Sequence, residues 1–181
     1  AIENAWLYEK SWAHSKKMEE LSMTDSLTGL YNRRHFYRRL KEEMARAKRQ
    51  GHAVSLLVVD LDNLKEYNDA FGHLKGDEAL RGVARAINAS IRHDVDNGFR
   101  YGGDEFAVVL PYSGAGEAAE VAERLRKTFE DYVFEGTSLS IGLAELGYGE
   151  EVDDLVTRAD TAMYVAKNSG GNRVHVAEKS A

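Results

Sequence analysis

The sequence predicts an α+β fold, an antiparallel central sheet covered by helices and led by an N-terminal connector helix, on three observations. Helical and β-rich runs follow one another in an order that suits helices layered on a sheet. The run Val54-Ser55-Leu56-Leu57-Val58-Val59 is apolar on both faces, as a strand buried between two layers requires. At 181 residues and 43% hydrophobic composition, the chain can build one core and offers no second apolar inventory for another domain.

Residues 1–23 carry Ile2, Trp6, Leu7, Trp12, Met18 and Leu21 among charges, an amphipathic helix without a clean heptad. The turn-rich Asp25-Ser26-Leu27-Thr28-Gly29-Leu30 separates this connector from the domain proper, expected over residues 24–181. From Asn32, Phe36, Leu40, Met44 and Ala47 recur at helical spacing, and Gly51 supplies a left-handed stop. The buried strand then ends on Asp60. Asp62 or Asn63 is expected to cap a short helix with Leu64, Tyr67 and Phe71, and Gly72 breaks it from a longer helix with Leu80, Val83, Ala84 and Ile87. Asn97-Gly98 is expected to turn the chain into Phe99-Arg100-Tyr101. Gly102-Gly103 turns it again, and Phe106-Ala107-Val108-Val109-Leu110 returns until Pro111. A helix with Ala118, Val121, Leu125 and Phe129, a strand with Leu139, Ile141 and Leu143, a helix with Leu155, Ala159 and Met163, and the strand Val174-His175-Val176 complete the order. That order fits a ferredoxin-like layer of the palm type that polymerases and nucleotidyl cyclases share, which by itself names no function.

With no cysteine, disulfides and thiolate metal sites are excluded, and a reducing, cytoplasmic compartment fits. A net charge of -6 argues against binding nucleic-acid polymers. No apolar run approaches the roughly 20 residues that span a bilayer, so this chain is expected to make no membrane contact of its own. Because it starts at Ala1 instead of Met, it is expected to be part of a longer protein, which could itself be membrane-anchored.

Asp60 ends the buried strand, and the hairpin tip Asp104-Glu105 falls beside it if the two strands are neighbours. Acids crowded in this way strain the fold unless a divalent cation neutralises them. Carboxylate oxygens without thiolates suit Mg²⁺ or Mn²⁺, and Mg²⁺ commonly shares its octahedron with substrate phosphates, so a triphosphate is the expected bridging ligand. Gly102 and Gly103 permit close backbone approach to a ligand. Lys65 could stabilise phosphate charge, and Asn68 with Asp77 could read a purine edge. Taken singly, each has a plainer reading: Asp60 as a cap, Asp104-Glu105 as a polar turn, Lys65 as a solvated helix face, Asp77 as the N-cap of the next helix.

Read together, Arg100-Tyr101-Gly102-Gly103-Asp104-Glu105-Phe106 resembles the signature of GGDEF domains, the diguanylate cyclases. The segment from Asp25 to Arg34, the stretch Asp60-Leu61-Asp62-Asn63-Leu64-Lys65 with Asn68-Asp69, and Gly72-His73, Gly76-Asp77, Ser140-Ile141-Gly142 and Ala166-Lys167 follow in the family's order. The resemblance implies condensation of two GTP into cyclic di-GMP with loss of two pyrophosphates, across a homodimer whose two domains each hold one GTP. It implies Asp60, the Leu61 carbonyl, Asp104 and Glu105 as metal ligands, and Asp104 as proton acceptor for the ribose 3′-hydroxyl. Lys65 would act at the phosphates, Asn68 and Asp77 at guanine, His73 at the substrate and Lys167 at the triphosphate. An upstream sensor domain is the implied source of control, acting through pairing of the connector helices.

Two positions depart from the family pattern. Gly171 stands where an arginine usually contacts the triphosphate, so GTP binding is expected to be weaker and Gly171→Arg is expected to strengthen it. In an Arg-x-x-Asp product-inhibition site the aspartate would be Asp96, but His93 holds the arginine position and Arg92 is one residue off register. Feedback inhibition is therefore expected to be weak or absent. The competing readings are a catalytically weak domain that binds GTP or cyclic di-GMP to regulate a partner, and an enzyme with relaxed base choice that makes a mixed cyclic dinucleotide.

Overall fold

The computed structural model describes residues 23–178, so the expected connector helix lies, Met23 apart, outside the described residues. In chain order the elements are β1 (Tyr31–Asn32), α1 (Arg33–Gln50), β2 (Val54–Asp62), α2 (Leu64–Phe71), α3 (His73–Ser90), β3 (Asn97–Gly102), β4 (Glu105–Pro111), α4 (Ala115–Glu130), β5 (Ser138–Glu145), α5 (Val152–Asn168) and β6 (Arg173–Val176). The strands form one sheet in the order β1-β3-β4-β2-β5-β6. Its middle is antiparallel, β2 pairing with β4 on one side and β5 on the other. Its edges are not, since β1 runs parallel to β3 and β6 parallel to β5. The expectation of an antiparallel sheet therefore holds for the centre only. The helix α5 between β5 and β6 is a crossover, the connection that parallel neighbours need.

All nine residues of β2 are buried, and their alternation sorts them onto two helical layers. Val54, Leu56 and Val58 join Phe36, Leu40, Leu155, Ala159 and Met163 beneath α1 and α5. Leu57, Val59 and Leu61 join Leu80, Val83, Ala122 and Leu125 beneath α3 and α4. Asp60 continues the first of these faces near the end of the strand, which runs on to Asp62 and does not stop at Asp60 as expected. A carboxylate in that place is necessarily at the lip of the core.

Two local expectations change. Asn97 and Gly98 are not a turn but the first residues of β3, paired with Val109 and Val108. Glycine is used there because a Cβ on Gly98 would lie 2.6 Å from Ile87 Cγ2 of α3. Neither Asp62 nor Asn63 caps α2 with its side chain. Asn63 holds the N-cap position with φ 60° and donates instead from Nδ2 to the Gly136 carbonyl at 3.0 Å.

Gly142 of β5 sets how closely α5 approaches the sheet. A Cβ there would collide with the Ala159 carbonyl oxygen and the Met163 nitrogen, backbone atoms that no rotamer change can clear. Lys167 lies one helical turn beyond Met163 on α5, so the same contact fixes the height at which Lys167 meets the sheet. Gly142→Ala is expected to destabilise the domain by about 3 kcal/mol, the upper end for overpacking. Urea unfolding of the variant checks this, and a midpoint equal to that of the parent would refute the packing account.

Candidate active site

The β2–β4 register places Asp60 directly opposite Glu105, and the β2–β5 register places Ser140 on its other side. Between β3 and β4 the chain turns at Gly103-Asp104, so Glu105 is the first strand residue and not the tip itself. The Leu61 amide donates to the Asp104 carbonyl at 3.1 Å, which fastens this turn beside the end of β2. The sequence expectation that Asp104 and Glu105 lie next to Asp60 is met by strand adjacency.

Asp60 is 4% exposed, and its Oδ1 accepts a hydrogen bond from Lys167 Nζ at 2.7 Å. Burial raises the Asp60 pKa above the usual carboxylate range, the charges of Asp104 and Asp62 add to this, and Lys167 only partly opposes them. Glu105 is likewise raised, by burial first and then by Asp60, Asp104 and Asp160. Burial works to lower the Lys167 ammonium, yet its bond to Asp60 and the charges of Asp60, Asp104 and Asp62 raise it on balance. One ammonium thus fails to neutralise the cluster, and the donor set of hard oxygens suits a further cation. Among the described residues no three carboxylate or imidazole groups draw together as a ready-made cage. A metal held here must take part of its shell from elsewhere, as Mg²⁺ does with phosphate and water.

The remaining candidates lie on α2 and α3. Asn68 Oδ1 is buried without a hydrogen-bond partner. It presses on Gly76, where any Cβ would collide with it, so α2 and α3 meet at that point and Asp77 follows immediately. An orphaned acceptor beside a half-buried carboxylate is a corner with unmet hydrogen bonds. Asp77 sits inside α3 and is not its N-cap. Lys65 and His73 are exposed, on the first turns of α2 and α3. Gly102 ends β3 and Gly103 opens the turn, where a Cβ on Gly103 would meet nothing within 4 Å.

Three further residues, Asp62, Arg100 and Asp25, support the site although the sequence alone assigns them no role in it. Asp62, 5% exposed, accepts from Ser138 Oγ and Ser140 Oγ at 2.7 Å each and from the Asn172 amide at 3.2 Å. Arg100 donates from Nη2 to the Gly103 carbonyl at 2.7 Å and from Nη1 to Asp25 at 3.2 Å, tying the turn to the start of the domain. Burial pushes the Asp25 carboxyl up, but the Thr28 hydrogen bonds and Arg100 outweigh it and hold the pKa low. All three lie within stretches that carry the family resemblance, but nothing in the sequence gives them a supporting role, because their partners are remote in the chain or on the main chain.

Gly171 sits in a tighter setting than the expectation for this position assumed. Its φ is 68°, and a Cβ there would lie 2.9 Å from Asp62 Oδ2. Gly171→Arg would force a side chain against a buried carboxylate in a left-handed conformation, so it cannot simply restore a phosphate contact.

A cavity of about 440 Å³ lies at the other end of β2, between Met44, His52, Leu146 and Tyr148. No described helix is long and apolar enough to cross a membrane.

Comparison with known proteins agrees with this fold. The chain is 41% identical over 159 residues to the diguanylate cyclase DosC of Escherichia coli, covering 84% of this chain and 34% of that protein. It is 40% identical over 164 residues to the response regulator PleD of Caulobacter vibrioides, covering 86% and 36%. It therefore spans about a third of the length of these two relatives. The crystal structure of the GGDEF domain of DgcB from Caulobacter crescentus in complex with c-di-GMP matches with a TM-score of 0.80 and 34% identity, over 86% of this chain and 95% of that one. The profile described as "Diguanylate cyclase, GGDEF domain" matches residues 22–173, and the chain belongs to that family.

Proposed function

We propose that this domain condenses two GTP into cyclic di-GMP, releasing two pyrophosphates, within a homodimer in which each copy presents one GTP to the other. The observation that carries the reading is the fastening of the Gly103-Asp104 turn to Leu61, which sets Asp104 and Glu105 against the buried Asp60. In each half-reaction the 3′-oxygen of one GTP attacks the α-phosphorus of the other, the bond to pyrophosphate breaks, and Asp104 takes the hydroxyl proton. Asp60, the Leu61 carbonyl, Asp104 and Glu105 would hold Mg²⁺ or Mn²⁺, which would neutralise phosphate charge and lower the pKa of the attacking hydroxyl. Lys65 and Lys167 serve the phosphates, where positioning and charge supply most of the acceleration. Asn68 Oδ1 and Asp77 supply acceptors for the guanine N–H groups, and His73 contacts the substrate at the α3 start. Control by an upstream sensor and a cytoplasmic location complete the reading. Purely regulatory binding is less well supported, because Gly171 has a structural reason in Asp62 and is not evidence of decay.

Incubation with Mg²⁺ and GTP, ATP or both, followed by mass analysis, tests the reaction. Cyclic di-GMP is expected from GTP alone, with Asp104→Ala reducing its rate by about a hundredfold or more. Equal product from ATP, or an unimpaired variant, would sink the proposal.

Lys167 and a metal compete for one oxygen of Asp60. Lys167→Met is expected to bind Mn²⁺ alone more tightly than the parent but GTP less tightly, as read by paramagnetic resonance of free Mn²⁺ and by calorimetry. Unchanged affinity for Mn²⁺ alone would contradict the competition.

Asp96 is fully engaged, its buried carboxylate accepting from the Arg92 amide at 2.8 Å, Nε at 3.0 Å and Nη2 at 2.6 Å. Product inhibition at this corner is accordingly expected to be weak or absent, and half-inhibition at low-micromolar cyclic di-GMP would show otherwise.

A further inference from the structure

The row of side chains that begins with Glu105 and Asp60 does not stop at Ser140. Ser140 of β5 is in register with Arg173 of β6, so Glu105, Asp60, Ser140 and Arg173 stand on four successive strands and one face of the sheet. At about 4.8 Å per strand, the Arg173 Cα lies roughly 10 Å from that of Asp60, a gap that the length of an arginine side chain largely spans.

The guanidinium is held back over the loop between α5 and β6. Its Nε donates to the Gly171 carbonyl at 3.1 Å, and Nη2 lies 3.5 Å from where a Cβ on Gly170 would be. Among the described residues no carboxylate pairs with it, although the chain carries a net charge of -6 and the acid cluster is close by. Arg173 remains exposed. An arginine oriented by one main-chain bond, with its Nη groups uncommitted, is preorganised for an anion.

The loop's shape comes from Asp62. That carboxylate accepts from Asn172 N, and Gly171 fills the space against it, with φ 68° and its amide on the Ala166 carbonyl at 3.1 Å. Lys167 lies in the last turn of α5 just before this loop, and Arg173 enters the sheet just after it. Two cations thus flank one clamped turn.

Resting on the proposed GTP reading, we infer that Arg173 is a second cation of the triphosphate grip, paired with Lys167 across the turn, and that Asp62 is its positioning residue and not a metal ligand.

Calorimetry of the full chain with Mg²⁺ and either a non-hydrolysable GTP analogue or GMP tests this. Arg173→Gln is expected to lose about tenfold or more in affinity for the triphosphate, with GMP affinity and melting temperature unchanged and Arg173→Lys recovering part of the loss. Asp62→Ala is expected to lower triphosphate affinity similarly, and adding Arg173→Gln to it should cost little more, because the two act through one loop. A merely structural Arg173 would instead lower melting temperature, or lower both affinities together. Either result overturns the inference, as does a parent protein that binds the triphosphate no better than GMP. Parallel assay of the parent for cyclic di-GMP separates the two ideas, since absent product refutes the catalytic reading while the ratio of the two affinities still decides Arg173.

Discussion

The organisation of this domain depends on a buried carboxylate that its surroundings cannot neutralise. Asp60 lies two residues before the end of a strand whose nine residues are all buried, faces Glu105 on the neighbouring strand, and receives one ammonium, from Lys167. Asp60 and Glu105 both bind protons more tightly in the folded chain than as free side chains, so each opposes folding as pH rises through its raised pKa. The apolar layers on both faces of β2 and the glycine contact under α5 must carry that cost. A site that holds charge against the interest of its own stability is the ordinary signature of function.

The supporting contacts share a style. Arg100 clasps the Gly103 carbonyl, Asp62 clasps the Asn172 amide, and Arg92 clasps Asp96 and, at 2.7 Å, the Pro111 carbonyl. In each a charged side chain holds a turn by its main chain. Turns held in this way keep their side chains free for a ligand, and Asp104 and Arg173 are both in that position.

What the sequence discloses and what it conceals divide along the same physical line. Helices with Phe36, Leu40 and Met44 or Leu155, Ala159 and Met163 are legible because their period is local, and Asp60 is legible because it ends a run apolar on both faces. The adjacency of Asp60 and Glu105 is only conditional in the sequence, because the hairpin joins β3 to β4 whereas Asp60 reaches Glu105 through the long-range pairing of β2 with β4. The parallel edges of the sheet, the burial of Asp62 against Ser138 and Ser140, and the demand for glycine at 142 and 171 depend on elements far apart in the chain, and no window of residues contains them. Asn97-Gly98 misleads because glycine signals a turn when local rules decide, whereas here the proximity of Ile87 decides.

Helix α2 differs from its neighbours in having no fully buried residue. Leu64 and Tyr67 only lean on the core, and the helix is moored by the Asn63 bond to Gly136 at one end and by Asn68 against Gly76 at the other. Such an element belongs to the low end of local stability, where amides exchange with solvent through small openings. Asn68 keeps an unsatisfied buried oxygen, and under the proposed function a base that hydrogen-bonds there would close those openings as it binds. On the proposed reading, recognition of the nucleotide and ordering of α2 would be a single event, with part of the intrinsic affinity spent on that ordering.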